Sequence, residues 1–217
     1  MSLSIFISLL LTFCVPYLAY IKFTIQPKRG FSILFITIIG IGPLIRLELL
    51  GILALLLLIF TLFIKDKNIQ IGLFLSSFFI FIQVFSTSIN ISLLNYLMIY
   101  FLPISLISGI FSLMMIGHWF LVDPTISKEG MKKIAIVTSL QSLALIPLVQ
   151  FDLINSGIVP IYKLIIIFLY ATTSILAFAS YKSLNEKSYT GVMAATGLSY
   201  LSLIVSIGAS GTLLLLS

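Results

Sequence analysis

The stretch GIGPLIRLELLG, Gly40 to Gly51, places Arg46 and Glu48 inside an otherwise uncharged run from Phe31 to Ile64. Two residues apart on a helix, they point about 200° apart around the axis and cannot bond to each other. Each needs another partner or water. As interfacial anchors their charged ends would reach lipid headgroups; at a membrane-embedded turn they would contact an anion or a substrate. Gln83 and Gln141 are the uncharged polar residues nearest the middle of their apolar runs. Amides there either bond between helices or line a permeation path. His118, the sole histidine, stands in MMIGHWFLVDP near the end of a long apolar run. That place suits an interfacial belt residue, a protonation switch or a cofactor ligand. Arg46, Glu48, Gln83, His118 and Gln141 form the candidate substrate-binding set, and no residue is assigned a catalytic or metal-binding role.

The remaining chemistry is sparse. One histidine excludes a bis-histidine haem within this chain and any multi-histidine metal site. Met114 and Met115 lie too near His118 on one helix to complete an axial pair. No cofactor is expected, and haem held by this chain alone is disfavoured. Cys14 is the only cysteine, so it has no intramolecular disulfide partner and reads as a small buried hydrophobe. The chain lacks HExxH, a nucleotide-binding loop, a paired-carboxylate transferase motif and a serine nucleophile in register with a histidine. With six acidic residues, embedded acid–base catalysis has few groups to draw on.

The elements that position these residues follow from composition. At 60% hydrophobic, 8% charged and a mean hydropathy of +1.26, the chain is far from the soluble norm of about a quarter charged residues. Apolar runs long enough to cross a ~30 Å hydrocarbon core recur along its length, without the alternation of barrel strands. Unpaired backbone groups are costly in lipid, which leaves helices as the spanning elements. The expected fold is all-α: a single integral membrane domain over residues 1–217, a polytopic transmembrane helical bundle with no soluble domain. The net charge of +6 lies in short loops rather than on a hydrophilic segment, so it speaks for topology and against nucleic acid. The first run lacks a basic start and a convincing cleavage site, and reads as a retained helix. Residue usage points to a prokaryotic cytoplasmic membrane.

Clear spans are expected over Leu3–Ile21, Ile69–Phe85, Leu94–Leu121, Lys133–Gln150, Ile158–Ser180 and Gly191–Leu215. The run from Phe31 to Ile64 is too long for one span and short for two. Charge arbitrates, because short cytoplasmic loops collect lysine and arginine. A hairpin turning at Gly40–Pro43 gives eight spans and puts ten of the twelve basic residues on one face, leaving Arg46 and Lys163 opposite. Seven spans divide them far less cleanly. The eight-span reading places both termini outside.

Two further patterns bear on packing. GIGPLIRL at Gly40 resembles GIVPIYKL at Gly157, an offset of 117 residues, which suggests a four-plus-four internal repeat. In the last run Gly191, Ala195, Ser199, Ser202, Ser206 and Ser210 make a stripe of small residues, so this helix should pack centrally. The leading functional expectation is a transporter or channel-like carrier of a small solute or ion. The alternative is a non-catalytic subunit of a larger membrane complex; an embedded enzyme is third. Expected partners are the lipid bilayer and other membrane proteins or further copies of the chain.

Overall fold

The structure is a computed structural model that describes residues 3–46, 49–87, 97–154, 158–186 and 188–215. Among these residues there are eight α-helices and no strands. They are α1 (Leu3–Thr24), α2 (Arg29–Arg46), α3 (Leu49–Phe60), α4 (Lys67–Thr87), α5 (Leu102–Trp119), α6 (Lys128–Gln150), α7 (Pro160–Leu184) and α8 (Tyr189–Leu215). A π-helical turn, Leu97–Phe101, leads into α5. Six helices are long and apolar enough to cross a membrane; α2 and α3 are shorter apolar helices. Six rather than eight elements therefore meet that standard among the described residues.

The difference lies in the run that holds Arg46. The turn expected at Gly40–Pro43 is absent, because these residues are helical and lie inside α2. On either side of residues 47 and 48, which lie outside the described residues, the described helices have 18 and 12 residues. At ~1.5 Å per residue these reach about 27 Å and 18 Å. The glycines serve close approach rather than a turn. A Cβ on Gly42 would stand 3.4 Å from the Ser8 backbone, and one on Gly40 would stand 3.2 Å from the Leu55 side chain. Pro43 removes one helical donor, which neighbouring helices make tolerable in a packed membrane bundle.

The chain divides into two compact units, Met1–Leu93 and Leu94–Ser217. In the first, α1 packs on α2, α2 on α3, α3 on α4, and α4 back on α1. Ser8 Oγ donates to the Gly42 carbonyl at 3.3 Å, joining α1 to α2. Ser77 Oγ donates to the Ala54 carbonyl at 2.9 Å, joining α4 to α3. Phe13 meets Phe78 edge to face at 5.6 Å across the α1–α4 contact.

The second unit closes in the same order, α5 on α6, α6 on α7, α7 on α8, and α8 on α5. Hydroxyl bonds join each of these four pairs. Ser139 and Ser174 exchange bonds, each Oγ donating to the other's carbonyl at 3.1 and 3.0 Å. Ser142 Oγ donates to the Tyr170 carbonyl at 2.7 Å, and Ser180 Oγ to the Ala195 carbonyl at 3.3 Å. Ser210 Oγ lies 3.4 Å from the Pro103 carbonyl and 3.0 Å from the Tyr170 hydroxyl. Gln141 donates to Ser105 Oγ at 3.3 Å. The stripe Gly191, Ala195, Ser199, Ser202, Ser206 and Ser210 is buried throughout, but the helix is not central as expected: Tyr200, Leu201, Ile204 and Ile207 on its other face are exposed, and α5 is the more buried helix of this unit.

Tyr170 is fully buried, and its hydroxyl ties α7 to α8. Tyr170→Phe should cost about 1 kcal/mol, the typical net worth of one interhelical hydrogen bond. Exposed Tyr162→Phe is the control. Equal thermal melting of the two variants would remove the Tyr170 bond from the account.

Candidate functional site

Polar groups gather at one end of the first unit, where α1 and α3 finish and α2 and α4 begin. Lys22, in the last turn of α1, reaches across to the Thr61 carbonyl at 2.7 Å. Its ammonium also sits 5.5 Å from the Phe74 ring centroid on α4. The loop after α1 turns sharply at Gln26, whose φ is 54°. It returns the chain so that Arg29 opens α2 with its guanidinium 5.4 Å from the Phe63 ring centroid. Asp66 Oδ1 accepts from the amides of Asn68 and Ile69, which fixes the start of α4 and spends that carboxylate locally. Gln70, one turn on, donates to the Ile64 carbonyl.

These residues surround a cavity of about 270 Å³ lined by Lys22, Gln26, Arg29, Ser32, Thr61 and Gln70, with Pro27 and Leu62. Among the described residues that line it, none is acidic. It offers two cations, two amides and two hydroxyls, a set suited to holding an anion rather than to moving protons or attacking a bond.

The second unit carries a comparable cluster at one of its own ends. Glu129, Lys132, Lys133, Tyr181 and Asn185 line a cavity of about 370 Å³ between α6 and α7. Here Glu129 neutralises its neighbour, pairing with Lys132 at 2.8 Å. Lys128 Nζ donates at 3.0 Å to the carbonyls of both Glu186 and Ser188, closing the α7–α8 turn over the start of α6. At the opposite end of this unit Lys163 pairs with Asp152 at 2.7 Å. Lys163, in the first turn of α7, thus lies at the other end of that helix from Lys182.

The candidate residues chosen from sequence are not brought into one site. Arg46 closes α2, but its side chain, like all of Glu48, lies outside the described residues. Gln83 is exposed on α4 and His118 is exposed at the end of α5. Gln141 is half-buried and serves the α5–α6 contact through Ser105, the interhelical role open to it from the start. Sequence reading assigned Lys22 and Arg29 to topology alone and so missed the basic cavity. Its signal was Lys22 itself, a cation lying before Phe23 rather than after the apolar run has ended.

Fold and composition together are consistent with an integral membrane protein: the described residues are all-helical, with six helices among them long and apolar enough to span a bilayer. No described protein family, curated protein or solved structure matches the chain.

Proposed function

We propose that the chain is a small polytopic carrier that moves a small solute or ion across a prokaryotic cytoplasmic membrane. The observation that carries this reading is the construction from two four-helix units closed in the same cyclic order. Carriers of this general kind work by rocking one bundle of helices against another around a central site. The shared order also supports a four-plus-four organisation, although the echo that suggested it does not. GIGPLIRL runs through the end of α2, whereas Pro160 begins α7. In this proposal all eight helices cross, with the basic ends of both units cytoplasmic and both termini outside.

Reconstitution into liposomes tests the carrier reading directly. Solute-dependent swelling or current above that of protein-free vesicles is expected, with cations, anions and neutral osmolytes each supplied as probes. The second reading, an accessory subunit, is favoured by the hydroxyl bonds that join the second unit at all four helix contacts. Silent liposomes together with stoichiometric partner chains in gentle detergent extracts would replace the first reading by the second.

Topology has its own test. In a Cys14→Ser background, Lys28→Cys and Lys67→Cys should both escape an impermeant thiol reagent applied from outside. Both lie at one end of the first unit, before α2 and at the start of α4. Labelling of Lys67→Cys alone would show that α2 and α3 together make a single crossing.

A further inference from the structure

The geometry points to a binding site for an anionic phospholipid on the first unit, with the headgroup phosphate at Lys22 and Arg29 and an acyl chain in the groove between α1 and α4. Three observations converge on it. The basic cavity holds Lys22 and Arg29 with no acidic lining residue among those described, unlike the Glu129 cluster of the second unit. Ser32 lines the same cavity, is only 4% exposed, and its hydroxyl makes no hydrogen bond to another described residue. It lies in the first turn of α2, where helix amides and the helix dipole also favour an anion.

The third observation decides between a lipid and a soluble anion. Between α1 and α4 runs an apolar groove of about 220 Å³ lined by Val15, Ala19, Phe23, Ile71, Phe74 and Phe78 among others; it shares no lining residue with the basic cavity and is linked to it by Lys22, which touches Phe74. Phe23 and Phe74, both walls of the groove, meet edge to face at 6.0 Å. The Lys22 ammonium lies 5.5 Å from the Phe74 centroid and that of Lys67 lies 5.7 Å from the Phe23 centroid. Cations thus stand at one side of an aromatic pair whose rings also wall the apolar groove. A free phosphate would use the first region and ignore the second; a phospholipid fills both. Basic pockets between helices on the cytoplasmic side are suited to anionic headgroups. The site is independent of the carrier reading, since a bound lipid serves a carrier and an accessory subunit alike.

The test uses the full chain in nanodiscs of phosphatidylcholine with a minority of phosphatidylglycerol, released for native mass measurement. Wild type should retain phosphatidylglycerol in preference to phosphatidylcholine. Arg29→Gln and Lys22→Gln should each lower that preference about fivefold, and together on the order of thirtyfold, at about one headgroup contact per cation. Arg29 is exposed, so its variant should fold normally even if Lys22→Gln, which loses the Thr61 contact, does not. Ala19→Trp fills the groove and leaves the charges, so it should abolish lipid retention while inorganic phosphate still binds weakly. If Ala19→Trp retains the lipid fully and inorganic phosphate displaces it, the ligand is a soluble phosphate and the lipid assignment fails. Undiminished phosphatidylglycerol preference in folded Arg29→Gln and in the double variant would overturn the site altogether.

Discussion

Replacing Ala195 by leucine should unfold the second bundle or leave it too weak to purify, whereas the same change at Ala194 should leave it intact. Ala195 is 1% exposed and lies against α7, where its carbonyl accepts from Ser180 Oγ at 3.3 Å. Its carbonyl also accepts from Ser199 Oγ at 2.8 Å within α8. A leucine adds three carbons to a filled interface and forces α7 and α8 apart, stretching the Ser180 and Tyr170 bonds together. Overpacking usually costs about 1–3 kcal/mol and more where the backbone must move. Several interhelical bonds worth about 0.6 kcal/mol each are then at risk as well. Ser199→Leu, at another 1% exposed position, should behave similarly. Ala194 is exposed on the same helix, which separates packing from any general intolerance of leucine in α8. Equal yield and melting of the Ala194 and Ala195 variants would show that the stripe does not face the bundle.

Gly191→Ala should destabilise the same unit by about 2 kcal/mol, even though alanine is the better helix former by about 1 kcal/mol. A Cβ at Gly191 would stand 2.5 Å from the Ser183 carbonyl oxygen and 2.8 Å from Glu186 Cβ. The first obstacle is backbone and is already fixed, since that oxygen accepts from the Glu186 amide at 3.1 Å. It has no rotamer by which to move aside. Obstruction by backbone places the overpacking cost near the upper end of about 1–3 kcal/mol, and helix propensity recovers only part of it. Fluorescence of Trp119, the only tryptophan, follows the melting from within the same unit. A variant melting at or above wild type would place the α7–α8 turn farther from α8 than described.

The helical bundle could be read from the sequence because its cause is bulk: apolar runs of spanning length leave backbone groups only one way to bond. The small-residue stripe was equally legible, since spacing of three and four residues is all that is needed to share a helix face. The turn near Pro43 was not. Glycine and proline mark a turn in water-exposed chain, but inside a bundle the same pair at Gly42–Pro43 lets α1 approach while the helix continues to Arg46. The basic cavity was hidden for a different reason. Lys22 and Arg29 sit in different helices and Gln70 in a third, so their meeting depends on how helix ends are gathered. Periodicity within a run carries no such information. The chosen polar residues failed to converge because each was selected for being unusual in its own run, which says nothing of its neighbours in space.

Cys14 gives the first bundle a reporter of its own opening. The thiol lies in the middle of α1, is fully buried, and donates to the Leu10 carbonyl at 3.3 Å. Thiol reagents must reach the sulfur, and at 0% exposure it is covered by its neighbours. Modification therefore waits for α1 to leave its neighbours, and its rate follows the opening of that unit. Excess detergent, a groove-filling side chain or a stripped lipid would each register as a faster clock at this single sulfur.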